Sequence, residues 1–370
     1  MKNNYFMLDY IHEIPAVLDL TLNQNEGAIR EIVSKAEENQ INKIVIIGLG
    51  SSYTAALMAE PVFRQYCRLP VYIMASTELP PFIPGFIDSK TLVIAVSRSG
   101  ERNWLVDVFK DSIQAGAMGI AITGVNDSLL AQNAQFILIT REGPEITFAK
   151  TKSVSTSCGL LMRIALAFAS QNDPDVTKQL SILQASSRLL EETIRVVEPQ
   201  VQALMPELLK INHVMIGGTI GNFGAAMEFA IKLPEAASIP VISNNTGNML
   251  HGPWFEMDKS WIVMLLVTHY DLDLSRTTMG LATGLKSQRM VITEPDLDVT
   301  SFSDYKITLP RSVDLLTTGL VYLIPLQLLT YYWSIGKGLN PDEPAEMRDM
   351  LKAMLPPGRE EPELRNFDKK

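Results

Sequence analysis

The sequence predicts an α/β protein made of two tandem, doubly wound parallel-sheet halves of the flavodoxin-like kind. Three observations predict it: short β-branched runs ending in small residues, amphipathic helical stretches between them, and recurrence of both at one fixed offset. The first run, Lys43-Ile-Val-Ile-Ile-Gly-Leu-Gly-Ser-Ser, is apolar on both faces, as a covered parallel strand must be.

In chain order, residues 9–42 carry two helical patterns that meet near Asn23-Gln24-Asn25. The second pattern, Glu26 to Glu38, sets Ile29, Ile32, Val33 and Ala36 on one face. Strands are expected at Val71–Ala75, Thr91–Val96, Gly119–Thr123 and Phe136–Thr140, with helices between. Shifting the chain by 170 residues lays Val45-Ile-Ile-Gly on Met215-Ile-Gly-Gly, Val71 on Val241 and Val93–Val96 on Val263–Leu266. The same shift lays Ile120-Ala-Ile on Met290-Val-Ile, Ile137–Ile139 on Ile307–Leu309, and the helix Thr151–Ser170 on Val321–Asn340. One offset serving five strands and a helix is an internal duplication. The expected organisation is N-terminal helices at 1–42, a first α/β unit at 43–172 and linking helices at 173–212. A second unit at 213–340 and a tail at 341–370 complete it.

At 370 residues and 46% hydrophobic, the chain can bury a large core. Its net charge of −9, with bases mixed among acids, offers no stripe for a phosphate backbone, so no nucleic-acid partner is expected. Cys67 and Cys158 lie in apolar surroundings without a CxxC, as buried thiols of a reducing, cytoplasmic compartment do. The N-terminus has no uninterrupted apolar run, which argues against a secretory signal. Leu315 to Gly336 is uncharged and long enough to span a bilayer. Its first-unit counterpart carries Lys152 and Arg163, so both are read as central helices inside protein, with no membrane partner.

Ligands of such sheets bind beyond the carboxyl ends of the strands. Three first-unit loops lie there: Gly48-Leu-Gly50-Ser51-Ser52, Ser97-Arg-Ser99-Gly-Glu-Arg102, and Glu145-Ile-Thr-Phe-Ala-Lys150-Thr-Lys152. Serine loops at helix N-termini fit either a phosphate cradle or routine N-caps. A serine loop after each of two strands in one unit favours phosphate. The second unit puts Val267-Thr-His269-Tyr at the corresponding place, and so has lost that loop. It offers instead Glu228, Lys232 and Glu235 at i, i+4 and i+7 of a helix that Pro234 should end or kink, then His251 in Leu-His-Gly-Pro. These fit an acid–base pair, or a solvated salt bridge with a loop histidine. Gly48-Leu-Gly50-Ser-Ser-Tyr53 lacks the third glycine of a dinucleotide fingerprint, and Gly217-Gly-Thr-Ile-Gly221 has the wrong spacing. No P-loop and no His/Cys ligand cluster occurs, so neither cofactor nor metal is expected.

Together these segments resemble the sugar isomerase (SIS) family, in particular the isomerase half of glucosamine-6-phosphate synthase and the fructosamine-6-phosphate deglycases. Ile324-Pro-Leu-Gln-Leu-Leu-Thr-Tyr, Asn340-Pro-Asp-Glu-Pro and the opening Glu13-Ile-Pro-Ala-Val-Leu add to the likeness, which runs in order along nearly the whole chain. The resemblance implies phosphate binding by Ser51, Ser52, Ser97 and Ser99, with Gly50, Lys150, Glu228 and Lys232 as further substrate contacts. It implies Glu235 as the base moving a proton between C1 and C2 of an open-chain sugar 6-phosphate. His251 would assist ring opening from a neighbouring subunit, so a homodimer with a shared site is implied. Arg102 stands where the synthase has threonine and would add a charge-assisted phosphate contact. The synthase's C-terminal lysine aligns with Asp349, and Lys352 replaces it only if the tail shifts. With no glutaminase segment, a substrate already carrying nitrogen fits best. The expected activity is a C1–C2 proton shift with C–N hydrolysis, of deglycase or glucosamine-6-phosphate deaminase type. An aldose–ketose or aminotransferase-like isomerase and a non-catalytic sugar-phosphate sensor are the alternatives.

Overall fold

The computed structural model describes residues 5–101, 104–169, 173–252, 254 and 257–343; Arg102, Lys352 and Asp349 lie outside them. The chain opens with α1 (Phe6–Glu38). The first unit then runs β1 (Lys43–Gly48), α2 (Ser51–Tyr66), β2 (Val71–Ala75), α3 (Ile83–Phe86), β3 (Thr91–Val96) and α4 (Trp104–Gln114). It closes with β4 (Met118–Thr123), α5 (Leu129–Gln132), β5 (Phe136–Ile139) and α6 (Lys152–Ala167). After α7 (Pro174–Leu208), the second unit runs β6 (His213–Gly218), α8 (Gly221–Ala237), β7 (Val241–Asn245), β8 (Trp261–Val267) and α9 (Leu272–Gly284). It ends with β9 (Gln288–Thr293), β10 (Tyr305–Thr308) and α10 (Thr318–Gly336).

Both sheets are parallel and five-stranded, ordered β2-β1-β3-β4-β5 and, in the same sense, β7-β6-β8-β9-β10. The duplication holds in register along the first four strands, Ile44 pairing with Val71 as Val214 pairs with Val241. The fifth strand departs by one residue from the expected match of Ile137 with Ile307: Phe136 pairs with Ile120 as Tyr305 pairs with Met290, so Ile137 corresponds to Lys306. Strands β3, β4 and β8 are buried at every position, which accounts for their unbroken apolar runs.

Three helical expectations need correction. The two N-terminal helices are one, because the Asn23–Asn25 stretch is not a turn. Asn25 is buried, donates to Thr21 O at 2.7 Å and Ile139 O at 2.8 Å, and accepts from Ile139 N at 3.0 Å. Its amide thus serves the edge of β5 from inside a continuous helix. Likewise α8 runs past Pro234 to Ala237, because a proline in the last turn forfeits only its own donor. The Pro234 carbonyl still accepts Ser238 N at 3.1 Å. The stretch between the units is also one long helix, α7, with Pro199 and Pro206 inside it.

Helix α10 packs on α7 and α8, with nearly all of its residues buried. Several of its polar groups find partners within the protein: Tyr322 Oη donates to Val267 O at 2.7 Å, Gln327 Nε2 to Thr151 O at 3.1 Å and Ser334 Oγ to Ala236 O at 2.7 Å, while Gln327 Oε1 and Trp333 Nε1 are buried without a partner among the described residues. Among the described residues no helix is long and apolar enough to cross a membrane.

The units meet through α2 and α8. Thr54 Oγ1 lies 2.5 Å from Glu228 Oε2, whereas a Cβ on Gly224 would stand 2.7 Å from Met58 N and one on Gly221 3.2 Å from Met58 O. Advancing along α2 from 54 to 58 moves backwards along α8 from 228 to 221, so the helices run antiparallel. Only glycine permits this approach at 224.

Candidate functional site

Antiparallel packing carries the N-terminus of α2 toward the C-terminal turns of α8. Glu235 lies two turns past Glu228, and Ser51 one turn before Thr54. At 1.5 Å per residue, the two ends stand about 6 Å apart along the helix axes. The serine loop of one unit and the carboxylate of the other thus belong to one locality.

Gly50 precedes α2 with φ 51° and ψ −126°, a conformation suited to glycine, and leaves Ser51 and Ser52 half-buried in the first turn. Ser52 N donates to Leu49 O at 3.1 Å and Tyr53 N to Gly50 O at 3.0 Å inside the turn, and the start of a helix of this length favours an anion. The loop after β3 is pinned from below. Ser97 Oγ accepts Gly100 N at 3.2 Å, while the Arg98 carbonyl accepts Gly124 N at 2.9 Å and Thr123 Oγ1 at 3.1 Å. Gly100 has φ 58°, and a Cβ there would fall 2.2 Å from Ser128 Oγ. Ser99 is half-buried and accepts Glu101 N at 3.4 Å.

Arg98, between the two serines, was not singled out by sequence reasoning. Its Nε stands 3.7 Å from Glu142 Oε1. Burial raises the Glu142 carboxyl above its ordinary range, against hydrogen bonding and the Arg98 charge. A lone acid far along the chain gave no signal of this pairing.

The third loop is organised by Glu145, which is buried at the N-terminus of α6. Its Oε1 accepts Thr151 N at 2.7 Å, Lys152 N at 2.9 Å and Thr151 Oγ1 at 2.9 Å, and its Oε2 accepts Ser153 N at 3.3 Å. Burial would raise this carboxyl, but the donors from Ser153 and Thr151 and the Lys150 charge hold it below the ordinary value. Lys150 Nζ donates to Glu145 O at 3.0 Å and Thr147 O at 2.6 Å. Phe148 N donates to Asp342 O at 3.0 Å, and Asp342 caps α1 through Phe6 N at 2.7 Å and Met7 N at 2.9 Å. The Asn340-Pro-Asp segment therefore clamps this loop to the first helix.

On α8, Lys232 Nζ lies 2.7 Å from Glu235 Oε2 and 3.9 Å from Glu228 Oε1. Side-chain exposure falls from 24% at Glu235 to 7% at Lys232 and 1% at Glu228, so only Glu235 opens outward. Glu228, expected to touch substrate, is instead an inner partner of Lys232 and Thr54. Burial raises the Glu235 carboxyl, the nearby Lys232 and Lys150 charges oppose this, and Glu228 adds to it. Burial lowers Lys232, but Glu228 and Glu235 outweigh it and keep the ammonium charged. A carboxylate with a raised pKa, joined to a fixed cation, can both take and return a proton.

His251 is exposed at the end of the turn Asn248–His251, and no hydrogen bond or ion pair among the described residues joins it to Glu235. The second unit's own loop is filled from within: Asp271 Oδ1 accepts Thr268 N at 2.8 Å and Thr268 Oγ1 at 2.9 Å, and Oδ2 accepts Thr219 Oγ1 at 2.7 Å. At the turn matching Gly50 stands Ile220, with φ 52° and ψ −129°. No three His, Cys, Asp or Glu side chains among the described residues gather as a metal site.

Residues 39–167 match the SIS domain family. Over 93% of its length the chain is 27% identical to the glutamine–fructose-6-phosphate aminotransferase [isomerizing] of Caldanaerobacter subterraneus. It is 29% identical, again over 93%, to that of Symbiobacterium thermophilum. It spans 58% of the length of these curated relatives. The C-terminal domain of the Francisella tularensis glucosamine-fructose-6-phosphate aminotransferase superposes with a TM-score of 0.84 at 22% identity, covering 93% of this chain and all (100%) of that one. Glucosamine-6-phosphate deaminase from Thermotoga maritima superposes at 0.71 and 20% identity, over 92% of this chain and 97% of that one. The expected tandem α/β fold is borne out by these neighbours and by the two sheets.

Proposed function

We propose that this chain, with a SIS domain at its head and homology to the SIS part of the aminotransferases, is a phosphosugar enzyme shifting a proton between C1 and C2 of a nitrogen-bearing sugar 6-phosphate. The observation that carries the reading is the antiparallel seating of α2 on α8. It puts a serine-lined helix N-terminus and an outward-facing carboxylate at opposite ends of one short span.

In this reading the loops holding Ser51, Ser52, Ser97 and Ser99 grip the phosphate, and Arg98 supplies charge beside it. Arg102, which belongs to the same loop, lies outside the described residues. Anchoring the far end presents the C1–C2 bond to Glu235. For a ketosamine, Glu235 takes the C1 proton to give an enaminol and returns it to C2, leaving a C1=N imine. Water adds to that imine, the C–N bond breaks, and the amine leaves with the nitrogen's electron pair. For a 2-amino aldose the same steps run from C2 to C1, and ammonia leaves. Lys232 stays beside Glu235 throughout and favours its charged form when the proton departs. Lys150 adds positive potential from the loop before α6. His251 of a second copy completes the site for ring opening, as the family resemblance implies. Simple aldose–ketose isomerisation is the second reading, since the Glu235–Lys232 pair itself demands no nitrogen.

The test is incubation of fructosamine, glucosamine and fructose 6-phosphates in D₂O. NMR follows deuterium at C1 and C2, and mass spectrometry follows released amine. Wild type exchanges and releases nitrogen, and Glu235→Gln does neither. Exchange by Glu235→Gln at the wild-type rate overturns the assignment, whereas exchange without nitrogen release selects the isomerase.

A further inference from the structure

The hydroxyl of Thr54 has one proton and two acceptors within reach, Ser51 O at 3.0 Å and Glu228 Oε2 at 2.5 Å. The carboxylate contact is the shorter, so the proton belongs there. Glu228 is 1% exposed, and its other oxygen, 3.9 Å from Lys232, has no hydrogen-bond partner among the described residues. Thr54 is thus the one described hydrogen-bond donor to this buried carboxylate. A buried carboxylate that loses its donor takes up a proton.

We infer that Thr54 is a positioning residue for Glu235: by holding Glu228 Oε2, it fixes the inner carboxylate that shares Lys232 with the outward-facing one. This rests on reading Glu235 as the base. The charged groups bearing on Glu235 are Lys232 and Glu228 from its own helix and Lys150 from the loop before α6, with Glu145 behind Lys232. Glu228 pushes Glu235 up, and removing its charge, as in Glu228→Gln, leaves the Lys232 charge to Glu235 alone and lets it fall.

The internal repeat supplies a control for mere packing. Under the 170-residue shift the Thr54–Glu228 pair becomes Gly224–Met58, an apolar contact across the same helix crossing. The crossing therefore needs no hydroxyl to close. What Thr54 adds is a donor, one helical turn inside the serine loop, connected through two side chains to the group at the opposite end of the span.

The experiment titrates the free full-length chain labelled with ¹³C-carboxyl glutamate, the Glu235 signal being the one absent from Glu235→Gln. Thr54→Val and Glu228→Gln each lower the Glu235 pKa by roughly 1 unit, and Thr54→Ser restores the wild-type value. A Glu235 titration unmoved by Thr54→Val overturns the inference. Should Thr54→Val fail to fold, an unmoved titration in Glu228→Gln does the same. Hydrogen exchange by Glu235→Gln at the wild-type rate would remove Glu235 as base while leaving this coupling intact, so the two failures are separable.

Discussion

Replacing Glu145 by glutamine keeps its shape but removes its charge and turns one acceptor into a donor. Three of the four contacts, from Thr151 N, Lys152 N and Thr151 Oγ1 at 2.7–2.9 Å, converge on Oε1. Losing the charge from such bonds forfeits about 1 kcal/mol each. The new amide must also face Ser153 N, leaving a buried donor unmet at a further cost of about 1 kcal/mol. The expected total is about 3–4 kcal/mol at pH 7. Because the folded carboxyl is held below its unfolded value, this stabilisation is full above the unfolded pKa and is lost as pH falls through the folded one. Urea melts of both proteins at matched m-values, from pH 7 down to pH 3, should show the gap narrowing with acid. A gap under about 1 kcal/mol at pH 7, or one unchanged by acid, would refute the account of α6 capping.

Four further outcomes are expected. Gly50→Ala introduces no clash, since nothing lies within 4 Å of its Cβ position, so it should cost only the backbone strain of about 1–2 kcal/mol, read from the urea midpoint. Asp342→Ala uncaps α1 and should cost about 1 kcal/mol, with faster amide exchange at Phe6 and Met7 as its local mark. Burial raises Glu142, so its contribution to stability is present below the unfolded pKa and fades as pH rises through the folded one. Glu142→Gln should therefore gain on wild type as pH rises above the ordinary carboxylate range in the same urea assay. Turnover of sugar 6-phosphates should rise with pH through a limb above the ordinary carboxylate range, since Glu235 works ionised and burial raises it; a limb at the value of a free glutamate would contradict that.

The strands were legible because burial on both faces leaves an unbroken β-branched run, and the repeat because its register is kept to the residue along four of five strands. Harder to read was α1, where Asn23-Gln24-Asn25 carries the composition of a turn. Only the tertiary contact of Asn25 with Ile139 explains why the helix continues. In the site, helical periodicity grouped Glu228, Lys232 and Glu235 correctly, yet it could not tell which faced outward. That depends on Thr54, 174 residues away, and on the direction in which α2 crosses α8. Arg98–Glu142 stayed hidden for the same reason: pairings between distant loops leave no period in the chain.

Ile220 bears on the history of the molecule. A β-branched side chain does not select φ 52°, ψ −129°, and holding it there costs about 1–3 kcal/mol, so the surrounding sheet and helix dictate that bend whatever residue stands at 220. Gly50 makes the same bend without strain, so the two units share the shape although only one has the residue that suits it. Rebuilding an anion cradle there takes more than glycine at 220, a hydroxyl at 222 and the carboxylate of Asp271 withdrawn: a side chain at 221 would set its Cβ 3.1 Å from Gly319 N and 3.2 Å from Met58 O, so the crossing of the two units limits what that bend can hold.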